Sequence, residues 1–127
     1  MGKVVEKVRI VSVFDRSKAV EVDAVIDTGA TMVVLPQDIV DALGLMKIRD
    51  TSVRYANNRV ETKTIYGVVA IEVKGRTGDF DVLAEVAGTQ PLIGQVVLET
   101  LDLVVEPRSR SLTPNPASPD LPMVEIL

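Results

Sequence analysis

The chain has 127 residues, 46% of them hydrophobic, with a formal charge of −4 and no cysteine, histidine or tryptophan. That length suits one compact domain. Lacking Cys and His, it cannot use disulfides, thiolate or Ser-His catalysis, or thiolate- and imidazole-bound metal centres, and its scattered basic residues offer no footprint for a nucleic-acid backbone.

Carboxylates are therefore the natural groups for acid–base work near neutral pH, and no metal or other cofactor is expected. Val, Ile and Leu dominate the apolar content, which favours β-structure. The start, Met1-Gly2-Lys3-Val4-Val5-Glu6, has no long apolar core or small-residue cleavage site. Glu6 also departs from the Ser or Thr of a myristoylation motif on Gly2. No run approaches eighteen apolar residues, so no membrane association is expected, and the chain is read as cytoplasmic.

Residues 4–14 read as a strand, followed by a polar turn at Asp15-Arg16-Ser17. A return strand then places Val20, Val22, Ala24 and Ile26 on one face and Glu21 and Asp23 on the other. Asp27 arrives at its end. The short apolar run Met32-Val33-Val34-Leu35 leads to Pro36, suited to the first turn of a helix through Leu43 that Gly44 caps.

Strands are expected at 51–55 and 60–66, joined by Asn57-Asn58, two residues that tolerate positive φ. That hairpin carries polar side chains on both faces, including Arg54, Arg59, Glu61 and Lys63, so its tip should project and move. A further strand pair is expected at 68–73 and 80–86 around a Gly75-Arg76-Thr77-Gly78 turn. After Pro91-Leu92-Ile93-Gly94, a helix is expected from Gln95 to Leu101 with Val97, Leu98 and Leu101 inward.

The stretch from Leu35 to Leu45 is echoed from Ile93 to Leu103, which suggests two related halves. Val104-Val105 reads as a final core strand, closing a domain over 1–106. Pro107, Pro114, Pro116, Pro119 and Pro122 then make 107–127 an extended tail. Its apolar end, Met123-Val124-Glu125-Ile126-Leu127, needs cover from its own body or from a partner at a dimer interface. Glu99 and Asp102 read as surface charges, and Arg108, Ser109 and Arg110 as solvated tail residues.

Val25-Ile26-Asp27-Thr28-Gly29-Ala30, followed far downstream by Leu92-Ile93-Gly94, resembles the retropepsin family (clan AA) of aspartic peptidases over roughly residues 20–103. The proline-rich end is similar to small prokaryotic members of that clan. The resemblance implies an all-β acid-protease barrel with short helices after the Asp-Thr-Gly and Leu-Ile-Gly turns, acting as a homodimer on polypeptide. It implies that Asp27 is catalytic, that Thr28 bonds across the dimer axis, and that Ala30 lies close to substrate. By the same resemblance Tyr55, Ala56, Asn57 and Asn58 form a flap, and Leu92, Ile93 and Gly94 are structural support. Two features depart from the family: Gln95 stands where retroviral members usually carry Arg, and Asn57-Asn58 where a flap tip often carries Gly.

The chemistry has its own logic. Peptide hydrolysis by carboxylates needs one ionised group to take a proton from water and one protonated group to polarise the carbonyl. The chain offers a single Asp-Thr-Gly run, so the second carboxylate must be Asp27 of another copy related by a two-fold axis. Gly29 permits the tight backbone that presents Asp27 and lets amides approach its carboxylate. Two other classes of function fit the same residues: a catalytically silent dimeric peptide-binding or assembly module of this fold, and an unrelated monomeric β-rich interaction domain.

Overall fold

Alternating side chains build the first wall of the molecule in the computed structural model, which describes residues 3–126. Met1 and Gly2, read above as part of an N-terminus without leader or lipid motif, and the terminal Leu127 lie outside the described residues. Strand β1 (Val4–Ser12) pairs antiparallel with β2 (Ala19–Ile26), from Val4↔Ile26 to Val11↔Ala19. Ala24 and Ile26 turn inward while Glu21 and Asp23 face solvent, as the period-two pattern predicts. The first strand stops at Ser12, short of Phe14, because Asp15 closes a local turn: its Oδ1 accepts from the Ser17 N–H at 3.2 Å and the Ser17 hydroxyl at 2.6 Å. Phe14 is left exposed.

Strand β3 (Val33–Pro36) runs straight into helix α1 (Gln37–Ala42). Pro36 is the residue before the helix rather than in its first turn, with φ −66° in an extended conformation. Gly44 caps the other end at φ +62°, its N–H reaching the Asp41 carbonyl at 3.0 Å. Strands β4 (Met46–Arg54), β5 (Val60–Val73) and β6 (Arg76–Glu85) follow, then β7 (Leu92–Ile93) and helix α2 (Gln95–Leu101).

The sheet order is β1-β2-β7-β3-β6-β5-β4, and a β1–β5 pairing closes six of these strands into a barrel with β4 outside the closure. The all-β expectation with two short helices is met. Val97, Leu98 and Leu101 of α2 pack onto the core formed by Val8, Ile10, Val33, Leu35, Ile71 and Ile93. The echo between Leu35–Leu45 and Ile93–Leu103 has a structural counterpart, since β3–α1 and β7–α2 are both a short strand entering a short helix. No helix among the described residues is long and apolar enough to cross a membrane.

Three expected boundaries move. β4 starts at Met46, not at 51, because 46–49 also pair with β5 across an irregularity between Lys47 and Arg49 that interrupts the alternation. β5 does not break at Gly67: one 14-residue strand spans what reads as two. The turn after it is Lys74-Gly75, both left-handed at φ +51° and +75°, so Arg76-Thr77-Gly78 belongs to β6. Gly78 is a packing glycine, since a Cβ there would lie 2.9 Å from the Leu101 side chain.

The expected final core strand, β8 (Leu103–Glu106), pairs with β9 (Ser111–Pro114) in a separate two-stranded sheet rather than joining the barrel. Leu112 of β9 reaches the main core, and its N–H donates to the buried Glu6 carboxylate at 2.5 Å. Residues 115–126 then return over the end of α2. Arg76, only 7% exposed, donates to the Leu101 and Asp102 carbonyls at 3.0 and 2.9 Å and to the Ser118 carbonyl at 2.5 Å. It thereby quenches the free carbonyls of the helix terminus. Leu121, Met123, Val124 and Ile126 remain exposed on this chain.

Asp102 is no idle surface charge. Its carboxylate accepts from the Ser118 hydroxyl, from Asn115 Nδ2 at 3.1 Å and from the Met123 N–H at 3.0 Å. These bonds, that from Ser118 foremost and that from Asn115 next, hold its carboxyl below the ordinary aspartate range. A depressed folded-state value stabilises the docked tail above the ordinary aspartate range, and the contribution is lost as pH falls through the folded value. The protection of the Met123 amide against exchange, taken relative to a free amide at the same pH, should therefore fall on acidification, and Asp102→Asn should show the lower protection already at neutral pH.

Candidate active site

Asp27 is the residue immediately after β2, and its position is set by β7, which is slotted between the two strands flanking the 27–32 loop. β7 lies parallel to β2, with Val25↔Leu92 and Ile26↔Ile93, and antiparallel to β3 through Val34↔Leu92. The ladder runs up to the aspartate: the Val25 N–H donates to the Pro91 carbonyl and the Asp27 N–H to the Ile93 carbonyl, both at 2.9 Å. Backbone bonds on a short, partly buried strand thus fix where the loop begins.

Inside the loop the Gly29 N–H donates to Asp27 Oδ1 at 2.9 Å, and the Ala30 N–H to the Asp27 carbonyl at 3.2 Å. The carboxylate is therefore oriented by its own turn, as expected for Gly29. A Cβ on Gly29 would sit 3.2 Å from Asp27 Oδ1, tight against the group it orients. Asp27 is partly exposed, and Thr28 and Gly29 are exposed, so the loop presents its chemistry outward from the barrel.

The far side of the loop is tied to α2. The first N–H groups of a helix lack acceptors within it; here the Gln95 N–H donates to the Ala30 carbonyl at 2.7 Å and the Val96 N–H to the Thr31 carbonyl at 3.0 Å. Gly94 makes that approach possible, since a Cβ on it would lie 2.5 Å from the Met32 carbonyl oxygen and 2.8 Å from that of Ala30. The Gln95 side chain turns away along the helix to Glu99 Oε1 at 3.3 Å, so its tie to the loop is through backbone alone. A groove of about 300 Å³ beside the loop is lined by residues that include Thr31, Met32, Phe80 and Val96.

Asp27, Thr28, Gly29 and Ala30 are thus joined with Leu92, Ile93 and Gly94 in one hydrogen-bonded unit. Tyr55, Ala56, Asn57 and Asn58 stand elsewhere, at the tip of the β4–β5 hairpin. The Tyr55 N–H donates to the Arg59 carbonyl and the Asn58 N–H to the Tyr55 carbonyl, both at 2.9 Å. Asn58 takes the left-handed conformation, φ +67°, while Asn57 works through its side chain, accepting from the Arg59 N–H at 2.9 Å.

The polar side chains of this hairpin form a connected set that the sequence did not single out. The Tyr55 hydroxyl donates to Glu85 at 2.6 Å, Lys63 Nζ lies 2.7 Å from the other Glu85 oxygen and 3.5 Å from Glu61, and Arg59 lies 2.5 Å from Glu61. The Arg59 guanidinium also stands 5.5 Å from the centre of the Tyr55 ring. Burial pulls the Glu85 carboxyl up, but hydrogen bonds from Lys63 and Tyr55 outweigh it and hold it below the usual glutamate value. The Tyr55 phenol is raised, by burial first and then by its bond to Glu85. One signal for Glu85 was present in the sequence: it interrupts the apolar run Val82-Leu83-Ala84 before Val86.

A family model for the gag-polyprotein putative aspartyl protease matches residues 17–105. The chain belongs to that family. The matched span begins in the turn before β2 and ends within β8, so it takes in the Asp27 loop, the β4–β5 hairpin and the Leu92-Ile93-Gly94 run. Comparison with curated proteins returned no match.

Proposed function

We propose that the protein is an aspartic endopeptidase that acts as a homodimer, with Asp27 of each chain supplying one carboxylate. The observation that carries this reading is the single Asp-Thr-Gly loop, held by β7 on one side and α2 on the other, in a chain of the aspartyl protease family. One carboxylate cannot be acid and base at once; two brought together by a two-fold axis share one proton and fill both roles.

In that pair, the ionised Asp27 takes a proton from a water whose oxygen attacks the scissile carbonyl carbon. The protonated Asp27 gives its proton to the carbonyl oxygen, producing a tetrahedral diol. As the C–N bond breaks, the proton taken from water passes to the leaving nitrogen, and the other returns from the diol to the carboxylate pair. Thr28, exposed beside Asp27, braces the two loops across the axis, and the 55–58 tip closes over an extended peptide held mainly by backbone hydrogen bonds.

Incubation with unstructured peptides from acidic to neutral pH tests the reading. Cleavage is expected, with a rate per chain that falls on dilution as dimers dissociate; a rate per chain independent of concentration, together with a monomer by sedimentation, would refute the shared site. The Gln95 side chain, turned to Glu99 instead of bracing the loop, favours one alternative: a dimer of the same fold that binds peptide without turnover. Saturable binding with no cleavage at any pH would select it.

A further inference from the structure

The hairpin tip is not free. By the two-residue alternation Tyr55, Glu61, Lys63 and Glu85 share a face with Ile65 and Leu83, which are directly paired across β5 and β6. The Lys63 and Glu85 side chains are only 17% and 16% exposed, so their ion pair is shielded from water where it joins the two strands. Tyr55, the residue that opens the 55–59 turn, bonds to the same carboxylate from beyond the end of β4. The contact joins residues 30 apart, bringing the tip of one hairpin to the last residue of β6.

We propose that Glu85 is a positioning residue that holds the 55–59 tip against the end of β6 when ionised and releases it when protonated. The groups facing it are Lys63 from β5 and the Tyr55 hydroxyl from the turn. Glu61 lies behind Lys63, and Arg59 bonds Glu61 in turn. From α1, the side chain lining the same groove is the neutral Gln37. Protonating Glu85 removes the acceptor charge on which both Tyr55 and Lys63 converge. Lys63 then turns to Glu61, and the Tyr55 ring loses its anchor. The sign follows from the depressed carboxyl: the anchor is intact above the ordinary glutamate range and lost as pH falls through the folded value. In the peptidase reading, on which this consequence rests, acidification through the folded value of Glu85 loosens the tip for peptide entry.

Amide hydrogen exchange reads the anchor without substrate. In the full chain at neutral pH, Tyr55→Phe and Glu85→Gln should each accelerate exchange at the Tyr55 and Asn58 N–H groups by about tenfold, the scale of a charge-assisted bond. The double variant should add little to either. In the unsubstituted protein the same loss of protection, taken relative to free amides at the same pH, should appear on acidification, and no such pH-dependent loss should appear in Glu85→Gln. Ring titration adds a direct readout: the raised Tyr55 phenol should vanish from the titration in Tyr55→Phe and move down in Glu85→Gln. Unchanged exchange at the tip in Tyr55→Phe, or fully additive effects in the double variant, would overturn the proposal. A chain that cleaves no peptide yet shows these exchange changes would remove the peptidase reading and leave the anchor standing.

Discussion

Asp27→Asn is expected to abolish peptide cleavage, with kcat reduced by at least about a thousandfold, while the fold is unaffected. The amide is nearly isosteric, and its oxygen can still accept from the Gly29 N–H that now meets Asp27 Oδ1 at 2.9 Å. What disappears is the group that can take a proton from water. A homodimeric site makes a sharper demand than loss of activity. Mixed with a ninefold excess of Asp27→Asn chains and allowed to exchange, only about a tenth of the unsubstituted chains remain in homodimers, and activity should fall to about that level. Cleavage by the pure variant, or activity that ignores the excess of Asn chains, would exclude the shared aspartate pair.

The second large effect is steric. Gly94→Ala should destabilise the protein by about 3 kcal/mol, at the upper end for overpacking, seen as a lower urea midpoint. The cost is not torsional, because φ at Gly94 is −96°, open to any residue. It arises because the new methyl would stand 2.5 Å from the Met32 carbonyl oxygen, 2.7 Å from the Thr31 carbonyl carbon and 2.8 Å from the Ala30 carbonyl oxygen, all of them backbone. Relief requires moving α2 away from the loop and stretching the bonds from Gln95 and Val96 to Ala30 and Thr31. Those bonds hold the far side of the Asp27 loop, so cleavage should fall along with stability. Gly88→Ala is the contrast: at φ +87° with nothing within 4 Å of a Cβ, it costs only backbone strain of about 1 kcal/mol. Equal urea midpoints for the two variants would refute this account of Gly94.

The sequence by itself determined the parts whose signals are local. Alternation in Val20-Glu21-Val22-Asp23-Ala24 marks a half-buried strand, because side chains on an extended backbone alternate between faces. Asp-Thr-Gly after that strand marks the loop, since the Gly29 N–H meets the Asp27 carboxylate only two residues away. Helix α2 was legible to the residue because Val97, Leu98 and Leu101 mark one helical face. The strand boundaries near Lys47, Gly67 and Gly75 were not legible, because ladder irregularities and the choice of turn are settled by the partner strand rather than by local preference.

Tertiary structure alone decided what meets across long separations. It slotted β7 between β2 and β3, set Arg76 and Asp102 to hold residues 115–126, and joined Tyr55 to Glu85 over 30 positions. Along the chain Asp102 reads as a surface charge, Arg76 as a turn residue and Tyr55 as part of a flap, and none of these readings names the partner of such a group. Its role appears only once folding removes enough water for a charge to need a partner, and which partner lies within reach is a property of the barrel, not of the neighbouring sequence.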